Sequence, residues 1–188
     1  LYAPQGFLIT HPVALIVVSA DGWLSWPGIG HDIRVRAAVG KGGVTMAKAE
    51  GDGATPIGIF PLRALWYRPD RIGPPVTGLD LLPIDPNCGW SDDPADPAYN
   101  RPVKLPHPAR HERLWRQDGL YDLIVPLGYN DDPPVAGLGS AIFLHCASPD
   151  YTPTEGCVAI AQPDLLRLLQ VCGPQTRLAI EPLRQQLE

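Results

Sequence analysis

Short apolar runs separated by turn residues set the pattern of this chain. Residues 13–26 hold two such runs on either side of Ala20-Asp21-Gly22, a hairpin signature. The first run, ALIVVS, is continuously apolar and predicts a buried strand. Residues 33–40, IRVRAAVG, alternate charged and apolar positions with the period of a half-solvated strand, and Lys41-Gly42-Gly43 makes the next turn. Thr55-Pro56 is expected to be extended, because the proline ring disfavours the helical region for the residue before it. Gly58 then lets the chain turn or pack closely before Phe60. Residues 120–129, LYDLIVPLGY, predict a core strand that runs into an Asn130-Asp131-Asp132-Pro133-Pro134 turn, and Gly137, Gly139 and Ser140 turn the chain into a further apolar strand ending in His145 and Cys146. Helical patterning is confined to two places. PARHERLWRQ at 108–117 starts on a proline and predicts one short helix. Gln162-Pro163-Asp164 opens another, with a Leu stripe and Gly173-Pro174 as its stop. Residues 176–180 close as a strand. The fold expected is mainly β with one or two short helices.

Composition changes that picture in one respect. The chain carries 23 prolines beside 19 glycines, which favours strands, turns and ordered loops over long helices. The prolines cluster between about 67 and 108. Trp66, Tyr67, Leu79, Leu81, Leu82, Trp90 and Tyr99 supply too much apolar surface there for a disordered linker. An ordered, irregular excursion packed on a single domain, residues 1–188, is the expectation, and such long loops often serve as lids or binding loops. A net charge of -5 with no basic cluster argues against nucleic-acid binding. No apolar stretch reaches the length of a transmembrane segment. The first residue is Leu1 rather than Met, compatible with a removed leader or a trimmed chain.

Candidate chemistry concentrates in residues 141–160, AIFLHCASPDYTPTEGCVAI. His145 ends one apolar strand, and after a polar loop Thr154-Glu155-Gly156-Cys157 opens the next. A thiol attacks as thiolate, and a neighbouring imidazole is the usual means of lowering its pKa. Gly156 allows close backbone approach to a substrate carbonyl, and N–H groups around Gly156 and Cys157 could receive an oxyanion. On residue pattern alone, a Cys between Gly and Val is most often an inert core residue. The other cysteines, Cys88, Cys146 and Cys172, show no metal-binding spacing; burial suits Cys88 and Cys172 better than a disulfide. His107 and His111 stand four apart, but Pro106 and Pro108 flank the first and no third ligand follows, so no metal site is expected. Glu112 and Arg113 read as a solvated helix face, with the lining of a polar groove as the other option.

Thr154-Glu155-Gly156-Cys157-Val158 with His145 upstream resembles the active-site motif of the YkuD-type L,D-transpeptidases, and Thr55-Pro56-Ile57-Gly58-Ile59-Phe60 is similar to a second family motif. Together the two motifs cover most of the chain. The resemblance implies a YkuD-like, β-sandwich-like catalytic domain that cross-links peptidoglycan peptide stems. Cys157 would be the nucleophile and His145 the general base, its imidazole oriented by the backbone carbonyl of Cys146. Gly156 would belong to the oxyanion site, while Thr154, Glu155, Tyr129 and Asn130 would contact substrate. The partners implied are peptidoglycan stems and glycan, the location the periplasm, and no cofactor or metal is called for. Two departures stand out: Glu155 occupies a position where family members often have His, and Val158-Ala159-Ile160 lack the Arg many carry after the Cys. These departures and the proline-rich excursion resemble a divergent branch that forms 1,3-cross-links. A cysteine peptidoglycan hydrolase and a non-catalytic wall-binding module are the competing readings.

Overall fold

The computed structural model describes residues 12–183, so Leu1 and both ends of the expected 1–188 domain lie outside the described residues. β1 (Leu15–Ser19) and β2 (Trp23–Pro27) form the expected hairpin. Its turn closes where the Gly22 N–H donates to the Ser19 carbonyl at 3.0 Å, with Gly22 at φ 82°. Then come β3 (Asp32–Ala38), β4 (Val44–Thr45), β5 (Thr55–Pro56), β6 (Gly58–Pro61), β7 (Leu65–Tyr67) and β8 (Leu81–Pro83). The excursion adds β9 (Cys88–Ser91), β10 (Pro102–Lys104) and β11 (His111–Arg113). The chain ends with β12 (Leu123–Pro126), β13 (Phe143–Cys146), β14 (Val158–Ile160), the helix α1 (Gln162–Leu169) and β15 (Arg177–Glu181). The architecture is mainly β with one short helix.

Ten strands join in the order β6-β15-β1-β2-β3-β14-β13-β12-β7-β8. The chain leaving β6 returns to the region of β12: the Gly128 N–H donates to the Pro61 carbonyl at 2.8 Å and the Arg63 N–H to Pro126 at 2.9 Å. The sheet therefore curls around its apolar face, and residues from both of its halves, such as Ile16, Leu24, Leu65, Leu123, Leu144 and Leu178, share one core. Fully burying each such side chain stabilises the fold by about 1.5–3 kcal/mol. α1 lays Leu165, Leu168 and Leu169 into that core at helical spacing, with Asp164 in its first turn and Arg167 in its last, both favourable to the helix dipole.

Three expectations are corrected. β1 is not buried throughout: Leu15 is exposed and Val17 half-buried, because only one face of the strand meets the core. Residues 108–117 form no helix. His111, Glu112 and Arg113 instead pair with Ser91, Trp90 and Gly89, and a long-range ladder overrides a weak local helical preference. The excursion, in turn, is ordered as expected but not irregular throughout, since short strands interrupt it and β11 follows just after it. It folds into the sheet β10-β9-β11 with a core of its own, in which Ile84, Trp90, Leu114 and Tyr121 meet Phe143 and Cys157 of the main sheet. Trp90 packs edge-on against Phe143 with ring centres 5.2 Å apart. The excursion is thus built directly against the thiol.

Candidate active site

β13 and β14 run parallel, with His145 beside Ala159, so the loop between them brings Cys157 back alongside the strand that carries His145. Both residues are buried, and both line one cavity of about 470 Å³. Nδ1 of His145 lies 2.9 Å from the Cys146 carbonyl, and Tyr121 presses its ring edge-on against the imidazole at 5.3 Å between centres. These two contacts fix the ring plane. The Cys146 side chain is itself buried, its thiol pushed up to about 12 by burial, so the carbonyl is the part that meets the site.

The thiol of Cys157 donates to the Ala141 carbonyl at 3.2 Å and accepts the Phe143 N–H at 3.4 Å. Burial pushes it up to about 12, and the Glu112 carboxyl adds to the rise; the Phe143 N–H and the cations Lys48 and Arg116 work in the other direction. Burial likewise pulls His145 down to about 4, against the Cys146 and Leu120 carbonyls. At neutral pH the pair rests as thiol and neutral imidazole. The sequence-based expectation of a thiol lowered by its neighbour is therefore corrected: burial penalises the thiolate and the imidazolium alike, and the thiol's hydrogen bonds go to Ala141 and Phe143 rather than to His145.

The loop before the thiol is fastened from two sides. Thr154 Oγ1 donates to the Cys157 carbonyl at 2.7 Å and accepts the Gly156 N–H at 3.1 Å. Thr55 Oγ1, from the Thr-Pro motif, reaches the same carbonyl at 3.4 Å and accepts the Gly40 N–H at 2.8 Å. The upstream motif thus supports the thiol loop from behind. Gly156 sits at φ 135°, where a Cβ would stand 2.9 Å from the Ala54 carbonyl, so only glycine fits. With the Gly156 N–H occupied by Thr154, it is not available to an oxyanion in this arrangement.

Of the four residues expected to contact substrate, the structure brings two to the cavity. Thr154 and Glu155 line it, the latter paired with Lys41 at 2.7 Å. Tyr129 and Asn130 lie beyond the end of β12 and are absorbed in the following loop. The Tyr129 hydroxyl donates to the Leu138 carbonyl at 2.6 Å, and Asn130 Nδ2 donates to the Val135 and Gly139 carbonyls. Sequence reasoning missed Lys48, Arg116 and Tyr121, which also line the cavity, and favoured solvent for Glu112, which lines it too. The Tyr121 hydroxyl donates to Glu112 Oε2 at 2.6 Å, and burial raises the pKa of that carboxyl. Nothing in the run His111-Glu112-Arg113 by itself separates a strand from a helix. Among the described residues no group of three or more His, Cys, Asp or Glu side chains could hold a metal. His107 and His111 do approach, with ring centres 6.0 Å apart, but His107 is taken up by Asp96 at 2.6 Å and His111 by the Ala109 carbonyl at 2.7 Å.

No curated protein sequence matches the chain significantly. Solved structures similar to it include an L,D-transpeptidase from Mycobacterium smegmatis, at 12% identity and TM-score 0.45 over 90% of this chain and 59% of that one. L,D-transpeptidase 1 of Mycobacterium tuberculosis follows at 12% identity and TM-score 0.42, over 90% and 62%. L,D-transpeptidase 3 of the same organism, in complex with a faropenem-derived adduct, stands at 12% and 0.45, over 90% and 60%. The chain spans about three-fifths of the length of these proteins. Likeness this distant carries no weight for function. Assignment comes instead from the sequence itself, in which residues 14–180, the whole span from β1 to β15 with the buried His145 and Cys157 inside it, match the family model of the YkuD L,D-transpeptidase catalytic domain; the chain belongs to that family.

Proposed function

We propose that this protein cross-links peptidoglycan stems by acyl transfer through Cys157, working in the periplasm. The observation that carries the reading is the burial of Cys157 and His145 on one cavity, with Nδ1 of His145 held at 2.9 Å by the Cys146 carbonyl. In the first half-reaction Sγ attacks a stem carbonyl while His145 takes the thiol proton. The tetrahedral oxyanion forms against the Cys157 N–H, and His145 then gives its proton to the departing amine as the C–N bond breaks. In the second half-reaction the side-chain amine of a diaminopimelate on another stem attacks the thioester, loses its proton to His145 and releases the thiol.

A 1,3-cross-link, with L-Ala as the acyl donor, is the finer proposal. It is supported by Val158-Ala159-Ile160 in place of a cation after the thiol and by the excursion sheet β10-β9-β11 packed against it. Mass spectrometry of purified muropeptides incubated with the protein, and in parallel with Cys157→Ala, tests both levels. A dimer formed only by the intact protein is expected, and its fragmentation assigns 1,3 against 3,3. Shortened monomers alone would make the protein a hydrolase, and a dimer formed by Cys157→Ala would overturn the mechanism.

A further inference from the structure

The Lys48 side chain is 5% exposed, yet it lines the cavity of Cys157 and His145. An ammonium that deep is unusual unless its charge is used. It is also held rigidly. Nζ is paired with Asp52 and donates to the Ala49 carbonyl at 3.0 Å. Asp52 in turn accepts the Ala49 and Ala54 N–H groups, each at 2.9 Å. Gly139 lies flush on the aliphatic stem, where a Cβ would be 3.0 Å from Cγ and Cε. An ammonium has three donors, and these contacts use two.

The charged groups around it leave Lys48 as the cation for the cavity's centre; Arg110, which also lines the cavity, is exposed and paired with Asp92 at 3.0 Å. Glu50 is engaged by the hydroxyls of Tyr99 and Ser140. Glu112 is held by Tyr121, and Glu155 by Lys41. Arg116 is turned to Asp118 at the surface and to the Tyr121 ring. Lys48 also acts on the thiol itself, opposing the effect of burial there.

Resting on the acyl-transfer reading, we infer that Lys48 is the subsite for the carboxylate carried by the leaving amino acid. In a stem peptide that residue presents a free carboxylate one carbon from the scissile nitrogen. It does so whether it is D-glutamate, linked onward through its side chain, or a terminal D-alanine. The third N–H of Lys48 binds this carboxylate and sets the scissile carbonyl over Sγ. This chain has no cation in the residues just after Cys157, and Lys48 provides one from the far side of the fold's sequence.

The test pairs substrate with side chain, using disaccharide-tetrapeptides that carry either free carboxyls, a carboxamide at the D-glutamate α-carboxyl, or a carboxamide at the terminal D-alanine. The wild type is expected to lose about 10- to 100-fold in kcat/KM on one of the two carboxamides, that being the loss of a charged hydrogen bond. Which carboxamide is affected identifies the leaving residue. Lys48→Met, made together with Asp52→Asn so that no carboxylate is stranded, is expected to be slow on the free-carboxyl donor and to show no further loss on that carboxamide. Lys48→Arg should keep the discrimination. A purely structural role would slow all donors by the same factor and leave discrimination intact, which would overturn the inference while acyl transfer stood. A wild type that turns over all three donors equally overturns it too, and a wild type that turns over none overturns the underlying reading along with it.

Discussion

Oδ1 of Asn100 accepts the Ala141 N–H at 3.0 Å, and the Ala141 carbonyl accepts the Cys157 thiol at 3.2 Å. Ala141 is held at φ 53°, a left-handed conformation that costs a residue with a Cβ about 1–2 kcal/mol. Asn100, from the excursion, maintains it while also accepting the Trp90 indole N–H at 3.0 Å and donating to the Tyr129 and Asn130 carbonyls. One buried amide thus joins the excursion, the turn before β13 and the thiol.

Asn100→Ala is therefore expected to strand two buried donors at once and to cost about 2–6 kcal/mol, taking about 1–3 kcal/mol as the penalty for each unsatisfied group. Urea denaturation measures this directly. A loss below about 1 kcal/mol would show that the strained turn does not depend on Asn100.

The resting state of the thiol makes a second prediction. With Cys157 pushed up to about 12, its thiolate is scarce at neutral pH. Alkylation by iodoacetamide, followed at Cys157 by peptide mass spectrometry, should rise about tenfold per pH unit from pH ~7 to ~9. A plateau between pH ~6 and ~8 would reveal a preformed thiolate–imidazolium pair and contradict the neutral pair.

What the residues disclosed before the structure was local. Asp21-Gly22 marks a hairpin because a turn is decided by the residues in it, and the Leu spacing of α1 marks a helix for the same reason. That His145 and Cys157 would come to one cavity was legible because the segment holding both is short. Glu112 was not, because its strand exists only through pairing with Trp90, and a sequence of His, Glu and Arg suits a helix or a strand alike. Lys48 and Tyr121 reach the cavity through contacts distant in sequence. The direction of the Cys157 shift was out of reach for the same reason: adjacency to a His suggests a lowered thiol, while burial, a property of the whole fold, decides the sign.

Gly156→Ala probes the thiol loop. Its Cβ would meet the Ala54 carbonyl at 2.9 Å from a backbone at φ 135°. We expect a stability loss of about 1–3 kcal/mol and acyl-enzyme formation reduced at least tenfold, read by intact-protein mass spectrometry with a stem peptide. Thr154→Val tests the same loop through its hydrogen bonds to Gly156 and the Cys157 carbonyl, and should cost about 1–2 kcal/mol. Unchanged acylation in both variants would mean that the loop does not set the position of the sulfur.

His145 supplies the pH dependence. Its pKa falls from 6.5 to about 4 on folding, because burial penalises the imidazolium. The unfolded chain then binds this proton more readily than the folded one, so the contribution to stability is complete above pH ~6.5 and is lost as pH falls toward ~4. At 1.36 kcal/mol per pKa unit the shift is worth about 3 kcal/mol across that window. Urea denaturation at pH ~7 and pH ~4.5 should show wild type losing more stability than His145→Gln, which has no proton to bind in either state. The same shift places the acid limb of kcat/KM near pH ~4. If both proteins lose stability equally, or if the acid limb lies near pH ~6.5, the imidazole is solvated in solution and the neutral resting pair is wrong.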